Sequence, residues 1–422
     1  MKERRLRISR LGLTRTMRSI ELREYEPSDP VVLAVAERDA LSTAIPSLRI
    51  TPATGAQDAY TLTPGSTVGA LELGALSIRI RPKLSIQRVL YLASQAMNVV
   101  DFREEPFGFD EEASPQNILA PTFIAAAQRA FSRGLLHGYR NVEDTLTTIR
   151  GRIDFAEQLR RRYDVPLPVE VRYDDFTEDT LVNRLVKAAG RRLAGLQIGD
   201  ARWRHGLRRI DATLANVTLV GVPRSQVPTI EFDRLNEHYR EVVQLSRLIL
   251  RHAALDAVRG DVPASGFLMD MNVVFQEFVT SALRQQLGLS ERSFRSDAGS
   301  AAGYLDANRR IALRPDFTWW ERGTCVFAGD AKYKITKDGS GTNADLYQAL
   351  AYATALNLPG ALLAYAEGQP SAHVVSHAHK RIDVVTVEMS GTIQDLRASV
   401  ADLANRVHHL RAESLLLPCV PA

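Results

Sequence analysis

The sequence predicts a mixed α/β protein built in three regions, and three patterns carry that reading. Short alternating segments broken by Pro and Gly run from residue 19 to about 84. Apolar residues recurring at three and four positions dominate from 111 to 262. From 263 onward a helix, two strands around a turn, a second helix and two more strands follow in order. At 422 residues the chain is too long for one ordinary core, which agrees with several regions that each bury apolar surface.

Composition excludes several classes. No apolar run approaches the roughly 20 residues that span a bilayer. The basic start "MKERRLRISRLGLTR" lacks the apolar stretch of a secretory signal, so a cytoplasmic protein without membrane contact is expected. Two cysteines, Cys325 and Cys419, can build neither a disulfide framework nor a zinc site. A net charge of +4 permits contact with a polyanion, but acids nearly balance the bases, so charge alone does not decide it. No G-x-x-x-x-G-K-[ST] occurs, so no bound nucleotide is expected in this chain and "GSG" at 339–341 reads as a loop.

Residues 1–18 read as a basic flexible tail with one acid, Glu3. Residues 19–110 form a β-rich module through "SIELREYEPSD", "SLRITPATG", "AYTLTPGS" and "VGALELGALSIRIRPK". In the last segment Leu76, Ile78 and Ile80 share one strand face, and Ser77, Arg79 and Arg81 the other. A helical pattern over 85–100 precedes the acidic "DFREEPFGFDEEASP", which reads as a linker. Residues 111–262 read as a mainly helical scaffold, with a helix over 116–137, "DTLVNRLVKAAGRRLAG" and "FDRLNEHYREVVQLSRLILRHAAL".

Residues 263–422 hold the candidate chemistry. "MNVVFQEFVTSALRQQL" is a helix with Met271, Val274, Phe275, Phe278 and Ala282 on its apolar face. "RRIALRPDFTWW" and "TCVFAGDAKYKI" are strands joined by a turn at 321–323, a hairpin. "GSGTNADLYQALAYATAL" is a polar loop opening into a helix, and "GALLAYAE" and "RIDVVTVEM" are further strands. Ile393, Leu396, Val400, Leu403, Val407 and Leu410 follow heptad spacing for fewer than three heptads, the mark of a helix packed on its own domain. His373, His377 and His379 lack an acid or cysteine set with metal-site spacing and read as a polar crossing between strands.

The stretch "AGDAKYKITK" is unusual in a chain with 46 arginines and only 7 lysines. A position that resists this bias calls for a compact ammonium that approaches water or phosphate as a point charge. Strand alternation puts Asp330, Lys332 and Lys334 on one face, and the hairpin brings Asp316 within one or two residue pairs of Asp330. Two carboxylates so close repel unless a cation joins them, and such hard ligands suit Mg²⁺. Lys332 would orient a water or stabilise the crowded phosphate of a phosphodiester under attack. Lys334 reads as a DNA phosphate contact or a solvated charge. Gln348 and Tyr352, one helical turn apart, share a face that supports the site or packs in the core.

"RPDF" and, fourteen positions on, "DAKYK" resemble the PD-(D/E)XK nuclease signature, here Pro315, Asp316, Asp330, Ala331 and Lys332. Gln348 and Tyr352 match the Q-x-x-x-Y helix element of several branches of that superfamily. More of the chain resembles the McrC family, through "GLLHGYRNVEDTLTTIRGRIDFAEQL", "YDDFTEDTLVNRLVKAA", "MDMNVVFQEFV", "RPDF", "DAKYK" and "DLYQALAYA". That resemblance implies a restriction-endonuclease-like domain over 263–422, the nuclease subunit of a modification-dependent restriction system. It implies an McrB-like hexameric AAA+ GTPase as partner, docked through the β-rich module and stimulated in GTP hydrolysis. Double-stranded DNA carrying modified cytosine is the implied substrate, and Mg²⁺, with Mn²⁺ as a substitute, the implied cofactor. Asp316, Asp330 and the Ala331 carbonyl are the implied metal ligands.

One departure stands out, because relatives tend to read Phe-Glu where this chain has Phe275-Gln276 and the acid falls one place later, at Glu277. Successive helical residues lie about 100° apart, so Glu277 does not simply replace an acid at 276, and its part in the metal site stays open. The same departure motivates a second reading, a regulatory subunit of an AAA+ ring with an idle nuclease site. A third, a stand-alone RecB-like repair nuclease, leaves the first 260 residues without a role.

Overall fold

The structure, a computed structural model, describes residues 18–54, 58–96, 115–163, 167–196, 198, 200–254, 264–296, 301–335 and 342–416. The expected tail (all but Arg18), the expected linker (all but Pro115), the 339–341 loop and Cys419 lie outside the described residues. So do the boundaries expected at 110/111 and 262/263. The chain divides into two compact units, one made of residues 1–115 with 256–422 and the other of 116–255.

The first unit begins with β1 (Arg18–Arg23), β2 (Val31–Val32), α1 (Val35–Ala44), β3 (Arg49–Pro52), β4 (Ala59–Thr63), β5 (Thr67–Leu73), β6 (Leu76–Arg81) and α2 (Ile86–Ala96). β1 runs parallel to β6, β6 pairs antiparallel with β5, and β2, β4 and β3 form a small antiparallel sheet. The alternation in β6 holds, since Leu76, Ile78 and Ile80 are buried with Ile20, Leu22 and Leu41. On the opposite face Arg79 and Arg81 pair with Glu21 across the strands. Helix α1 is an element that the β-rich reading did not foresee. Its position before the first turn is Ala34, not a Ser, Thr, Asp or Asn, so the sequence carries no start signal. Glu37 satisfies that end by accepting the Ala34 N–H at 3.0 Å.

The second unit holds α3 (Pro115–Phe131), β7 (Gly138–Leu146), β8 (Arg152–Ile153), α4 (Phe155–Arg161), β9 (Val169–Thr177), α5 (Leu181–Ala194), α6 (Ala201–Thr213), α7 (Arg240–His252) and the two-residue β10 (Ala253–Ala254). Helix outweighs strand in this region, but the sequence reading missed one element, the antiparallel sheet of β7, β9 and β8. β7 and β9 carry charges on both faces and bury side chains fully only at Val169, Glu170 and Val171. A strand that buries neither face along most of its length has no period-two pattern to read. The helices form within the expected stretches but are shorter, α3 ending at Phe131 and α7 beginning at Arg240, with α5 burying Leu185, Val186, Ala189 and Leu193 and α7 burying Val242, Leu245 and Ile249.

The first unit resumes with β11 (Ala264–Asp270), α8 (Met271–Gln286), β12 (Phe294–Ser296), β13 (Gly303–Tyr304), β14 (Ala312–Leu313), β15 (Phe317–Glu321), β16 (Thr324–Ile335), α9 (Asn343–Ala355), β17 (Gly360–Glu367), β18 (Ser371–Val375), β19 (Lys380–Thr386) and α10 (Ile393–Leu415). β11 returns to the amino-terminal sheet and pairs antiparallel with β5. Gly69 makes that approach possible, since a Cβ there would lie 2.0 Å from the Phe267 carbonyl oxygen, and its φ of +127° suits glycine alone. Asp270 then caps α8, accepting from Asn272 N at 2.9 Å and from the Ser66 hydroxyl at 2.8 Å.

The remaining strands build a six-stranded sheet in the order β12-β15-β16-β17-β19-β18, with β16, β17 and β19 parallel. The β15–β16 hairpin forms as expected, with Glu321 opposite Thr324. Its turn is the pair Arg322-Gly323, both at positive φ (49° and 84°), the geometry that matches the twist of the flanking strands. Side chains on β16 alternate between two covered faces. Tyr333 faces α8, where Phe275 lies 6.1 Å away between ring centroids, and Lys334 faces α9, where it meets Asp345. α10 packs on its own unit along Leu396, Val400, Leu403, Val407 and Leu410, as the short heptad run predicts. "HVVSHAH" is partly strand, because His373 lies on the edge strand β18 and only the turn after it is a crossing. Among the described residues no helix is long and apolar enough to cross a membrane.

Candidate active site

The hairpin delivers the first two side chains. Its ladder ends at Phe317 opposite Gly329, so Asp316 and Asp330 occupy the next opposed positions. They cross-brace each other's backbone: Asp330 Oδ1 accepts the Asp316 N–H at 3.1 Å, and Asp316 Oδ2 accepts the Ala331 N–H at 2.8 Å. Asp330 is buried, 1% exposed, and its other oxygen, Oδ2, is buried without a well-formed hydrogen bond among the described residues. The Lys332 ammonium lies in ion-pair contact with that Oδ2.

Burial pushes the Asp316 carboxyl up to about 7, and the Asp330 charge beside it pushes the same way. Burial also works against the Lys332 ammonium, but the Asp330 charge and hydrogen bond, with Asp316 and Asp345 beyond, outweigh it and raise its pKa above the ordinary lysine value. Lysine is therefore charged at neutral pH and poised beside a buried carboxylate. The donor set, two adjoining carboxylates, fits a hard divalent cation such as Mg²⁺, which takes one or two protein carboxylates and fills the rest of its shell with water and phosphate.

The other expected residues fall as follows. Lys334 donates to both oxygens of Asp345 at 3.1 Å, so its ammonium is held in an ion pair. Gln348 donates to the Tyr352 hydroxyl at 2.6 Å, which in turn donates to the Arg314 carbonyl at 3.1 Å. That chain ties α9 to the residue two before Asp316. Tyr352 is also buried in the core with Ala349, Leu363 and Tyr365, so packing and support coincide. Glu277 is half-buried on α8, the helix that covers the Tyr333 face of β16. Among the described residues no group of three or more His, Cys, Asp or Glu gathers as a metal site.

Asp345 is a residue that sequence reasoning missed. It is buried, accepts from the Tyr365 hydroxyl at 2.7 Å and from Lys334, and sits at the third position of α9 after the capping Thr342. Burial works against its carboxylate, but Tyr365, Thr342 and Lys334 hold its pKa below the ordinary value. The sequence shows a polar loop opening into a helix here, but a residue in a helix's first turn gives no hint of the lysine or tyrosine it also serves.

For any cation that Asp316 would hold, a pH-dependent affinity is the expected result. A carboxyl whose folded-state pKa is raised favours folding while protonated, and that contribution is lost as pH rises from about 4 to about 7. A cation must displace the same proton, so its affinity should climb up to tenfold per pH unit below about 7 and level off above. The gain in melting temperature on adding Ca²⁺, a non-catalytic probe, is expected to be small at pH 5.5 and full by pH 8, and to vanish in Asp316→Asn. A gain independent of pH would contradict the assignment.

Comparison with known proteins agrees with this architecture. A chain of the refined half-complex of Thermococcus gammatolerans McrB AAA+ hexamers with bound McrC shares the fold, with a TM-score of 0.52 and 16% identity over 91% of this chain and 100% of that chain. A chain from the cryo-EM structure of the Thermococcus gammatolerans McrBC complex aligns with a TM-score of 0.42 and 18% identity over 64% of this chain and 88% of that chain. No curated protein matches the sequence. The family model described as McrBC 5-methylcytosine restriction system component matches residues 62–366, well over half of the 422 residues, and the chain belongs to that family.

Proposed function

We propose that the chain is the nuclease subunit of its restriction system, a Mg²⁺-dependent DNA endonuclease that cuts when an McrB-like AAA+ GTPase hexamer assembles with it and that stimulates the GTPase. The observation that carries this reading is the cross-braced pair Asp316–Asp330 with the Lys332 ammonium against the buried Oδ2 of Asp330. Family membership and a fold shared with a chain of an McrB–McrC assembly support the partner and the substrate, double-stranded DNA carrying modified cytosine.

Asp316, Asp330 and the Ala331 carbonyl would hold the cation, which would supply charge neutralisation on the phosphodiester and acidify an attacking water. Lys332, charged and directed by Asp330, would orient that water and offset charge growing on the phosphate. Gln348 and Tyr352 would keep the Arg314–Asp316 backbone in line. Lys334, paired to Asp345, would keep α9 against the catalytic strand and could still reach a DNA phosphate from its half-exposed end.

That no third acid gathers with Asp316 and Asp330 among the described residues favours one alternative, a regulatory subunit whose nuclease site is idle. The discriminating experiment is cleavage of methylated and unmethylated plasmid with Mg²⁺, with and without the neighbouring AAA+ protein and GTP. Cutting of methylated DNA only with partner and nucleotide is the expected result. Stimulated GTP hydrolysis without any cutting would replace it by the regulatory reading, and vigorous cutting by the chain alone would revive a stand-alone repair nuclease.

A further inference from the structure

β16 loses its regular ladder at the point where the candidate chemistry begins. Lys332 is opposite Tyr365 of β17, but the next pair is Ile335 with Glu367, so three steps on β16 face two on β17. The extra residue makes a bulge that contains Tyr333 and Lys334, the kind of irregularity that re-aims side chains beside active sites. Something other than the ladder must hold this segment. On the α9 face Lys334 is tied to Asp345.

On the other face the tie comes from the far end of the chain. The Tyr333 hydroxyl donates to Glu24 Oε1 at 2.9 Å, across 309 residues of sequence. The same oxygen accepts the Lys83 N–H at 2.7 Å, so one carboxylate gathers the ends of the parallel strands β1 and β6 and grips Tyr333. Glu24 is 0% exposed, and its Oε2 has no hydrogen-bond partner among the described residues. Burying a carboxylate costs several kcal/mol, and an apolar residue of similar size usually stabilises a core better. Holding an oxygen at one place between Tyr333 and Lys83 is what the carboxylate does that an apolar side chain would not.

We propose that Glu24 and Tyr333 are positioning residues for Lys332: the amino-terminal module clamps the bulged segment of β16 from behind and so sets where the Lys332 ammonium points. The inference rests on the nuclease reading for its consequence, though not for the clamp itself. It makes the amino-terminal module a working part of the cutting site.

The test uses the full chain with its AAA+ partner, in Tyr333→Phe, Glu24→Gln and Glu24→Ala, with two readouts. One is hydrogen exchange of the amides over 330–335 against the rest of the six-stranded sheet, and the other is single-turnover cleavage. In Tyr333→Phe local exchange is expected to rise about tenfold with the rest of the sheet unchanged, and the cleavage rate to fall about tenfold at constant KM for DNA. Glu24→Gln, which keeps an acceptor oxygen, should stay near wild type, while Glu24→Ala should not. Unchanged exchange and rate in Tyr333→Phe would overturn the proposal, and so would a loss of protection spread evenly over the sheet. If wild type itself cuts no DNA, the nuclease reading fails, and the exchange readout alone still decides whether the clamp exists.

Discussion

Asp330→Asn is expected to lower DNA cleavage roughly a thousandfold or more while leaving partner binding and GTPase stimulation at wild-type levels. The asparagine oxygen can keep the bond that Oδ1 accepts from Asp316 N, so the hairpin has no reason to open. What disappears is the negative charge on the buried oxygen that meets Lys332 and would meet the cation. The ammonium loses its main attractive neighbour, and Asp316 loses the like charge that, after burial, raises its pKa. A folded variant with a weakened cation site and no cutting is therefore the expected outcome, read by turnover of methylated DNA beside GTP hydrolysis in the same complex. Cleavage within tenfold of wild type would remove Asp330 from the chemistry, and joint loss of cutting and GTPase stimulation would mark it as structural.

Lys187→Met carries the largest expected effect on stability. Lys187 lies on α5, 9% exposed, and its ammonium donates to the carbonyls of Leu214 at 2.8 Å, Val217 at 2.6 Å and Ala215 at 3.4 Å. Leu214 closes α6, so the lysine both satisfies carbonyls left over at a helix end and sits where a cation is favoured. Methionine keeps most of the volume and none of the three donors; the Leu214 carbonyl still accepts the Val217 N–H at 3.0 Å, but buried acceptors left without partners, as at Val217, cost about 1–3 kcal/mol each when water cannot replace them. With partial rescue by water the net loss should be about 3 kcal/mol, roughly a hundredfold in the local opening equilibrium. Hydrogen exchange across α5, α6 and residues 214–217 measures it directly. A change below threefold would show that these carbonyls are already hydrated.

Lys187 also qualifies the reasoning from lysine scarcity. The bias toward arginine did point to places that need a compact ammonium, since Lys332 meets Asp330 and Lys334 meets Asp345. Lys187 and Lys380, which donates to the Leu358 carbonyl at 2.6 Å, meet the same need at backbone carbonyls. Scarcity therefore marks a point charge with three donors on a flexible stem, and only the neighbouring acids make the 330s a site.

Local order was legible because its cause is local. The alternation in β6, the apolar face of α8, the short heptads of α10 and the Arg322-Gly323 turn are properties of residues within a few positions of each other. Asp316 and Asp330 belong here too, since a hairpin only fourteen residues across fixes their meeting from strand geometry. Where a segment buries neither face or starts without a capping side chain, as in β7, β9 and α1, the same rules had nothing to read. Tertiary structure alone decided the rest: that β11 closes the amino-terminal sheet against β5, that Asp345 takes Lys334 and Tyr365, and that Glu24 reaches Tyr333. Such contacts join residues without a shared period or spacing, so their energy is set by shape and burial in three dimensions and leaves no mark along the chain.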